Sequence, residues 1–358
     1  MNTQPHLEES LKPFFECSIF KDRNFPADYN KFYVEQDELF LLSVETDDSA
    51  PEKKVKFGQR KSTYTCEFEC SGHFDSKKPA LLLCIKDNLK LLAYTLNNLK
   101  EYSVDKLSNI IVIDDRSTED LKSLSLERGY SYLKISYEND FNFSMINNIA
   151  AKLAHNLGCK NIVLWNSDMW AHDSLTLETL LNLHEENEAQ ISGTKLVYPS
   201  FRWDGDESKE GAAISTYFTS KAQTYRGTTQ FGGIIFTFAE HYGSFAPNHA
   251  YRFINPNHPL VNCDKGELAL TGAFQIIDLN WFVKQRGLNP SLARIFQDID
   301  LCLKADRVFY FGKDKFFYHD ESLLMLNEEK NEHQMVSDNL LFSKIWPRQV
   351  FINKMLMV

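Results

Sequence analysis

The chain has 358 residues, of which 43% are hydrophobic and 25% are charged, and its formal net charge at pH 7 is −10. This composition is typical of a folded globular protein and excludes a largely disordered one, while the acidic excess argues against nucleic acid as the main partner. A chain of this length forms either one large α/β domain with extensions or two modest domains.

The sequence predicts a cytoplasmic protein. No apolar run reaches the roughly 18 residues that a membrane-spanning helix needs. The polar and acidic start, MNTQPHLEES, lacks the basic and apolar regions of a secretory signal peptide. The seven cysteines form no CxxC pair, and several lie inside apolar runs, as reduced core thiols do. A zinc site is therefore not expected.

Residues 1–78 predict a small β-rich extension. The segment that starts at Phe32, FYVEQDELFLLSVET, is rich in strand-forming residues, and TYTCEF (Thr63 to Phe68) alternates weakly. Between them lies PEKKVKFGQRK (Pro51 to Lys61), a polar, lysine-rich connector. We interpret it as a solvated loop, with contact to an anionic acceptor or a membrane surface as the alternative.

From Ala80 onward, short apolar strands alternate with helical segments. The predicted elements are a strand at Ala80 to Ile85, a helix at Asn88 to Tyr102, strands at Ile110 to Ile113 and Ser131 to Tyr137, a helix at Ser144 to Asn156, and a strand from Ile162. Such alternation is typical of a doubly wound, mostly parallel sheet. The predicted fold class is therefore α/β.

Acidic residues follow two of these strands. Asp114-Asp115 end one strand, and Asp168 follows another, so we expect both at the same edge of the sheet, where open α/β sheets bind ligands. No GxGxxG follows the first strand, which disfavours a dinucleotide fold. One carboxylate suits a base or ribose, and the other suits a divalent cation on a diphosphate. The alternative for Asp168 is an Asx-turn that caps its strand.

Seven segments follow one another along the chain: VIDDRSTED (from Val112), FNFSMINNIAAKLA (from Phe141), LWNSDMW (from Leu164), SGTKLVYP (from Ser192), LTGAFQII (from Leu270), QDIDLCLKA (from Gln297) and YHDES (from Tyr318). In this order they resemble the motifs of the family 2 glycosyltransferases of the GT-A fold, in particular the bacterial rhamnosyltransferase-like branch that builds surface polysaccharides. Arg116 stands where the family usually has glycine, Asn166 replaces the first aspartate of its DxD motif, and Gln297 replaces a glutamate or asparagine.

The resemblance implies a role for particular residues. It makes Asp298 the catalytic base, and Asp168, with His319, a ligand of a divalent cation, Mg²⁺ or Mn²⁺. The predicted nucleotide-binding residues are Asp87, Asp114, Asp115 and Asn148, and the predicted donor-sugar or acceptor contacts are Asn166, Trp170, Gly272 and Asp300. Two alternatives stay open. Asp298 and Asp300 also suit the N-terminal turn of a helix, and His319 also suits a buried core position.

The implied organisation is an N-terminal extension (1–78), a GT-A domain (79–322, with a nucleotide-binding half 79–199 and an acceptor half 200–322) and a C-terminal helical segment (323–358). The basic amphipathic stretch from Phe342 to Val358 either lies on a membrane that carries a lipid-linked acceptor, at the inner face, or packs on the domain or on another subunit.

The implied activity is an inverting transfer of a sugar from a nucleotide-diphosphate donor to a glycan or lipid-linked glycan hydroxyl, in capsule or lipopolysaccharide biosynthesis. The alternatives are a nucleotidyltransferase on a related sheet and a catalytically silent sugar-binding subunit. The segment CIKDNLK, after the first strand, lacks the glycine-rich, basic loop by which nucleotidyltransferases hold a triphosphate.

Overall fold

The computed structural model describes residues 12–21, 30–45, 54–70, 74–201, 203, 226–240, 244–320 and 328–356. In this part of the chain, helices cover a large central β-sheet, and most of the buried apolar side chains form one continuous core. The segment from Phe201 to Gly211, predicted as a turn-rich insert, lies almost entirely outside the described residues.

The N-terminal part contains a short helix, α1 (Lys12–Phe15), and two long antiparallel strands, β1 (Lys31–Glu45) and β2 (Lys54–Glu69). The interpretation of residues 51–61 as a solvated loop was wrong from Lys54 onward, where the chain belongs to β2. Exposed and buried side chains alternate along the described part of this strand, so its buried face continues through Ser62, Tyr64 and Cys66 while Lys56 and Lys61 are exposed.

The remaining elements follow in chain order. They are β3 (Ala80–Ile85), α2 (Leu89–Glu101), α3 (Val104–Leu107), β4 (Asn109–Asp115), α4 (Leu121–Glu127), β5 (Ser131–Ser136), α5 (Phe143–Asn156), β6 (Asn161–Asn166), β7 (Met169–Trp170), α6 (Thr176–Glu186), β8 (Ile191–Gly193), β9 (Lys195–Val197), β10 (Thr229–Phe231), β11 (Ile234–Ala239), β12 (Ser244–His249), β13 (Asp264–Gly266), β14 (Phe274–Asp278), α7 (Leu279–Lys284), α8 (Gln297–Lys304), β15 (Val308–Phe311), β16 (Phe316–His319), α9 (Glu328–Ile345) and α10 (Arg348–Met355).

The central sheet has the strand order β1-β2-β5-β4-β3-β6-β14-β8-β15-β13. Its middle strands, β5, β4, β3 and β6, are all parallel, while β14 runs antiparallel between β6 and β8. The predicted α/β fold with a mostly parallel central sheet is confirmed. Because parallel strands end at the same edge, this order brings the ends of β3, β4 and β6 together.

Burial on both faces explains why the middle strands are short apolar runs. Leu81 of β3, Val112 of β4 and Val163 of β6 are fully buried, as expected for strands that helices cover on both sides. Helix α5 is buried along nearly its whole length, because the sheet lies on one side of it and residues 288–293 on the other.

The predicted helical C-terminal segment is confirmed by α9 and α10. Ile345, Trp346 and Phe351 are almost completely buried in the main core, so the apolar side of the amphipathic stretch packs on the domain. Pro347 is the N-cap of α10 and separates the two helices. Within the described residues, no helix is both long and apolar enough to cross a membrane.

Candidate active site

A cleft of about 680 Å³ opens at the edge where β3, β4 and β6 end, and the N-terminus of α8 and the β11–β12 hairpin complete its walls. Seven of the predicted site residues line it: Asp87, Asp115, Asn166, Asp168, Gly272, Asp298 and His319. The cleft and the carboxylates that line it therefore lie at the edge where open α/β sheets bind their ligands.

Asp87 links the ends of β3 and β4. Its Oδ1 accepts hydrogen bonds from the backbone N–H and the hydroxyl of Thr118 at 2.7 and 3.0 Å, and its own N–H donates to Oγ of Ser117 at 2.7 Å. Asp87 and the following Asn88 both have positive φ, 51° and 61°, so the chain turns sharply as it leaves β3. At this turn Asp87 lines the cleft.

Asp115 is held by the residues beside it and leaves one oxygen available. Its Oδ1 accepts hydrogen bonds from the Tyr137 hydroxyl at 2.7 Å and from Nε of Arg116 at 3.0 Å. Among the described residues, no donor contacts its Oδ2. Because the side chain lines the cleft, this oxygen can accept a hydrogen bond from a ligand.

Arg116 adopts the backbone conformation that glycine usually provides. Its φ is 56°, and its guanidinium lies 3.7 Å from the centroid of the Tyr137 ring and donates to the carbonyl of Asn139 at 2.7 Å. The cation–π contact and the hydrogen bonds offset the cost of left-handed backbone at a residue other than glycine. The turn after β4 is thus tied to residues 137–139 by a side chain that glycine would lack.

A carboxylate, a side-chain amide and an imidazole meet at the other end of the cleft. Oδ1 of Asp168 lies 3.4 Å from Nε2 of His319, and the Asn166 amide nitrogen lies at the same distance from that imidazole nitrogen. Asp168 follows β6, and His319 ends β16, which pairs with β7. The pairing of β16 with β7 brings together two side chains that are far apart in sequence.

This pair fits two ligands of one divalent cation, because a carboxylate oxygen and an imidazole nitrogen each about 2.1 Å from one ion lie about 3 to 3.5 Å apart. Within the described residues, no group of three or more His, Cys, Asp or Glu side chains could hold a metal ion. An ion at Asp168 and His319 would therefore take its other ligands from water and from phosphate oxygens.

Asp298 lies at the start of α8, and its carboxylate faces both protein and cleft. Its Oδ2 accepts the backbone N–H of Gly272 at 2.5 Å. Partial enclosure by the protein raises the pKa of Asp298 to about 6, although backbone N–H groups of Gly272 and Ile299 oppose the shift. A base with a pKa near neutrality is well suited to removing a proton from a hydroxyl group.

Gly272 allows this close approach. A Cβ atom at this position would lie 3.0 Å from the Asp298 Cβ and 3.2 Å from its Oδ2, which is tighter than almost all real Cβ contacts. A side chain here would push the carboxylate away from its backbone donor. Gly272, predicted as a contact of the donor sugar or acceptor, therefore also holds the predicted base in place.

Asp114, predicted to bind nucleotide, lies outside the cleft. Its carboxylate is 1% exposed and accepts hydrogen bonds from the backbone N–H of Ser117 at 2.7 Å and from the Tyr132 hydroxyl. Successive residues of a strand point to opposite faces, so only one of the two aspartates at the end of β4 can face the ligand. Asp115 occupies that position, and the expectation for Asp114 is corrected.

Three further predicted residues are buried away from the cleft, which corrects their expected ligand contacts. Asn148 holds both backbone polar groups of Leu288 with its amide, at 2.8 Å each. Trp170 donates from Nε1 to Oγ1 of Thr95 at 3.1 Å. Asp300 accepts hydrogen bonds from Nζ of Lys304 and Nε1 of Trp346, at 2.6 and 3.0 Å. The hydrogen-bonding groups of these three side chains therefore have partners inside the protein. All of these partners are distant in sequence except Lys304, which lies one helical turn from Asp300.

Comparison with protein-family models and with curated proteins gives no match.

Several solved structures are similar in part. The structure described as GalNAc-T7 with UDP, GalNAc and Mn²⁺ is 10% identical, with a TM-score of 0.47, covering 68% of this chain and 44% of that one. The structure of S. aureus TarS 1-349 is 12% identical, with a TM-score of 0.41, covering 74% of this chain and 70% of that one.

A mannosyltransferase from Pyrobaculum calidifontis, solved with GDP-Man and Mn²⁺, is 9% identical, with a TM-score of 0.40, covering 69% of this chain and 58% of that one. The chain thus spans less than half of the GalNAc-T7 structure. TM-scores below 0.5 at such identities describe a partial likeness of shape and assign no activity to this chain.

The cleft also contains residues that the sequence did not single out for a function. Phe141, Phe143, Gln230, His249 and Arg294 line it. Nε of Arg294 is buried and donates to no acceptor within the described residues, and burial lowers the pKa of this guanidinium. Arg294 lies four residues before Asp298, and Phe141 and Phe143 begin the FNFSMINN motif, so proximity to these motifs was the available signal.

Proposed function

We propose that this protein is an inverting glycosyltransferase that moves a sugar from a nucleotide-diphosphate donor to a hydroxyl group of a glycan acceptor. The observation that carries the proposal is Asp298: a carboxylate with a pKa raised to about 6 lines the same cleft as Asp115 and the Asp168–His319 pair. A base, a nucleotide contact and a site for a diphosphate-bound cation are the groups that such a transfer needs.

In the proposed reaction, Asp298 takes the proton of the acceptor hydroxyl as that oxygen attacks C1 of the donor sugar. The new C1–O bond forms on the face opposite the departing diphosphate, so the anomeric configuration is inverted. The Gly272 N–H holds Oδ2 at 2.5 Å, and the other oxygen is 2.8 Å from the Ile299 N–H. These donors orient the carboxylate without protonating it.

The donor is bound by groups at the ends of β3, β4 and β6. Asp115 and Asp87 accept hydrogen bonds from the base or ribose, while Asp168 and His319 hold a Mg²⁺ or Mn²⁺ ion. When bound, that ion neutralises the charge that accumulates on the diphosphate as the C1–O bond breaks. Lys86 and Arg294 also line the cleft and add positive charge near the leaving group.

The finer assignment rests on the seven motifs of the sequence. They support a family 2 enzyme of the bacterial rhamnosyltransferase-like branch, which transfers a hexosyl or deoxyhexosyl group in the synthesis of capsule, lipopolysaccharide or a related surface polysaccharide. We also propose the division into an N-terminal extension (1–78), a GT-A domain (79–322) and a C-terminal segment (323–358). We also propose a cytoplasmic site of action.

Assays with a panel of nucleotide sugars test the proposal. Each donor is incubated with the protein and Mn²⁺, and both hydrolysis of the donor and transfer to simple glycoside acceptors are measured. The proposal expects turnover of at least one nucleoside diphosphate sugar with release of the nucleoside diphosphate. In a parallel incubation with a nucleoside triphosphate and a sugar phosphate, release of inorganic diphosphate would indicate the nucleotidyltransferase instead. Binding of a nucleotide sugar without any turnover would indicate the silent sugar-binding subunit.

A further inference from the structure

The C-terminal helix α9 holds the backbone that leads into the predicted base. Asp338 of α9 is 2% exposed, and its Oδ2 accepts the backbone N–H groups of Arg294 and Ile295 at 2.7 and 2.9 Å. Arg294 and Ile295 both line the cleft. The contact therefore joins a helix behind the cleft to the cleft wall, three residues before Asp298.

The residue between this contact and α8 has unfavourable backbone geometry. Phe296 has a φ of 66°, in the left-handed region, which is unfavourable for a bulky residue other than glycine. Its ring packs against Phe342 of α9, with the ring centroids 5.0 Å apart. Strained backbone of this kind persists only where surrounding contacts determine it, and α9 supplies contacts on both the backbone and the ring.

Two further hydrogen bonds connect α9 and the residue after it to the N-terminal ends of α5 and α8. Nε2 of Gln334 donates to the carbonyl of Phe141 at 2.8 Å, just before α5. Nε1 of Trp346, which directly follows α9, donates to Oδ1 of Asp300, in the first turn of α8, at 3.0 Å. The helix α9 is thus attached to both the N-terminal end of α5 and the N-terminal end of α8.

We propose that Asp338 is a positioning residue of the transfer reaction, which fixes residues 294–296 and thereby sets where the carboxylate of Asp298 meets the acceptor hydroxyl. This inference rests on the proposed function. Without Asp338, two buried N–H groups would lose their acceptor, and the strained turn at Phe296 would relax. A displacement of a base by about 1 Å costs about 10²-fold in rate even when no reacting group has changed.

Burial of Asp338 is itself unfavourable. Removal from water raises the pKa of its carboxyl group to about 7, although the N–H groups of Ile295 and Arg294 act in the opposite direction. A buried carboxylate is retained at such a position only if its hydrogen bonds compensate for lost hydration. Here both backbone hydrogen bonds fall on the segment that carries the cleft residues and leads to Asp298.

The test compares Asp338→Ala with Leu341→Ala. Leu341 lies on the same helix and is 2% exposed, but its side chain packs in the core and has no hydrogen bond to the loop. At saturating donor, Asp338→Ala should lower kcat by about 10- to 100-fold while nucleotide affinity changes by no more than about twofold. Leu341→Ala should lower Tm but keep kcat within about twofold per folded molecule.

Asp338→Asn is the second variant of the test, because the asparagine side chain has the shape of aspartate and keeps one oxygen that can accept a hydrogen bond. We expect it to recover kcat to within about tenfold of the wild type, with stability close to normal. It also keeps the inference testable if Asp338→Ala does not fold. An Asp338→Ala enzyme with wild-type kcat would overturn the inference, as would an Asp338→Asn enzyme whose kcat falls by about 100-fold or more.

Amide hydrogen exchange separates this inference from the proposed function. In Asp338→Ala, the N–H groups of Arg294 and Ile295 should exchange faster than in Leu341→Ala, and in Asp338→Asn, which keeps a weaker neutral acceptor, they should exchange at a rate between those of the wild type and Asp338→Ala. If no nucleotide sugar is turned over, the proposed function has failed, yet faster exchange at these amides would still support the contribution of Asp338 to the loop. Unchanged exchange there would overturn the positioning role whatever the enzyme catalyses.

Discussion

At the scale of single residues, the surroundings of Asp298 determine what its carboxylate can do. Protein encloses the group and raises its pKa to about 6, and one backbone N–H at 2.5 Å keeps it oriented. A carboxylate that only caps a helix would be exposed to water and strongly acidic. The raised pKa fits a general base, while the hydrogen bond from the Ile299 N–H at 2.8 Å fits a carboxylate at the start of a helix, so the activity of a variant distinguishes the two interpretations.

We expect Asp298→Asn to lower kcat by roughly 10²–10⁴-fold, because the amide has no basic lone pair. Calorimetry should show nearly unchanged nucleotide affinity, and Tm should fall by no more than a few degrees because the amide keeps an acceptor for the Gly272 N–H. Normal turnover with a lowered Tm would instead identify Asp298 as a structural helix residue.

The pH dependence of the reaction follows from the same group. Asp298 must be ionised to accept a proton, so kcat/KM should fall about tenfold per unit below a pH of about 6. Stability should not follow this trend: because the folded pKa lies above the ordinary value of 3.8, the contribution of Asp298 to stability is present at low pH and is lost as the pH rises through about 6. Circular dichroism at each pH checks that the fold persists, and a flat rate profile from pH 5 to 8 would contradict the role.

Asp168 and His319 give a prediction for the metal. Asp168→Ala should abolish the Mn²⁺-dependent tightening of nucleoside diphosphate binding, because a two-ligand site loses its only carboxylate. Calorimetry of UDP and GDP with and without Mn²⁺ measures the effect, with Asp173→Ala as the control. Asp173 lies five residues further on, and its carboxylate caps α6 through the N–H of Thr176 at 2.7 Å. Equal tightening in Asp168→Ala would place the ion elsewhere.

At the end of strand β4, the two neighbouring aspartates point in different directions: Asp114 is hydrogen-bonded inside the protein, and Asp115 lines the cleft. Asp115→Asn should weaken nucleoside diphosphate binding by about 1–3 kcal/mol, since a neutral amide replaces a charged acceptor. Asp114→Asn should leave this affinity nearly unchanged and lower Tm, because the buried hydroxyl of Tyr132 and the Ser117 N–H lose their charged acceptor. The reverse result would mean that Asp114, and not Asp115, contacts the nucleotide.

Across the whole fold, the N-terminal strands join the sheet through the pairing of β2 with β5, and a buried carboxylate of β1 also contacts the helix beside the cleft. Glu38 of β1 is 1% exposed and accepts hydrogen bonds from Nε of Arg60 at 3.0 Å and from the hydroxyls of Ser62 and Tyr64 at 2.8 and 2.5 Å. The amide of Asn142, the N-cap of α5, also donates to it at 3.3 Å. Strands added at the edge of the sheet thus support the helix beside the cleft.

Glu38→Ala should therefore lower the free energy of unfolding by about 3–5 kcal/mol, since it leaves the Arg60 guanidinium without its buried partner. Urea denaturation measures the change. The matched control is Glu35→Ala on the same strand, where both side chains of the Glu35–Lys61 ion pair are 59% exposed. Its loss should produce no measurable change. Similar values for the two variants would show that the Glu38 cluster does not stabilise the fold.

The alternation of strands and helices, the parallel middle of the sheet and the shared edge of Asp114-Asp115 and Asp168 could all be predicted from the sequence. These features follow from local information, because short apolar runs and helical spacing report burial within one element and parallel strands share an edge. The polar connector after Pro51 was the local failure: lysines on the outer face of a long strand look like a loop when the partner strand is not known.

Which polar side chains face the cleft depends on contacts between distant parts of the chain and could not be predicted from the sequence. Asp114, Asn148 and Asp300 are of the same residue types as side chains that line the cleft. Hydrogen bonds hold them inside the protein instead, with Tyr132, Leu288 and Trp346 respectively as partners. The opposite holds for Arg294, which enters the cleft because Asp338 fixes its backbone from a helix 44 residues later in the chain. The direction of a side chain depends on such distant partners, and composition and spacing contain no record of them.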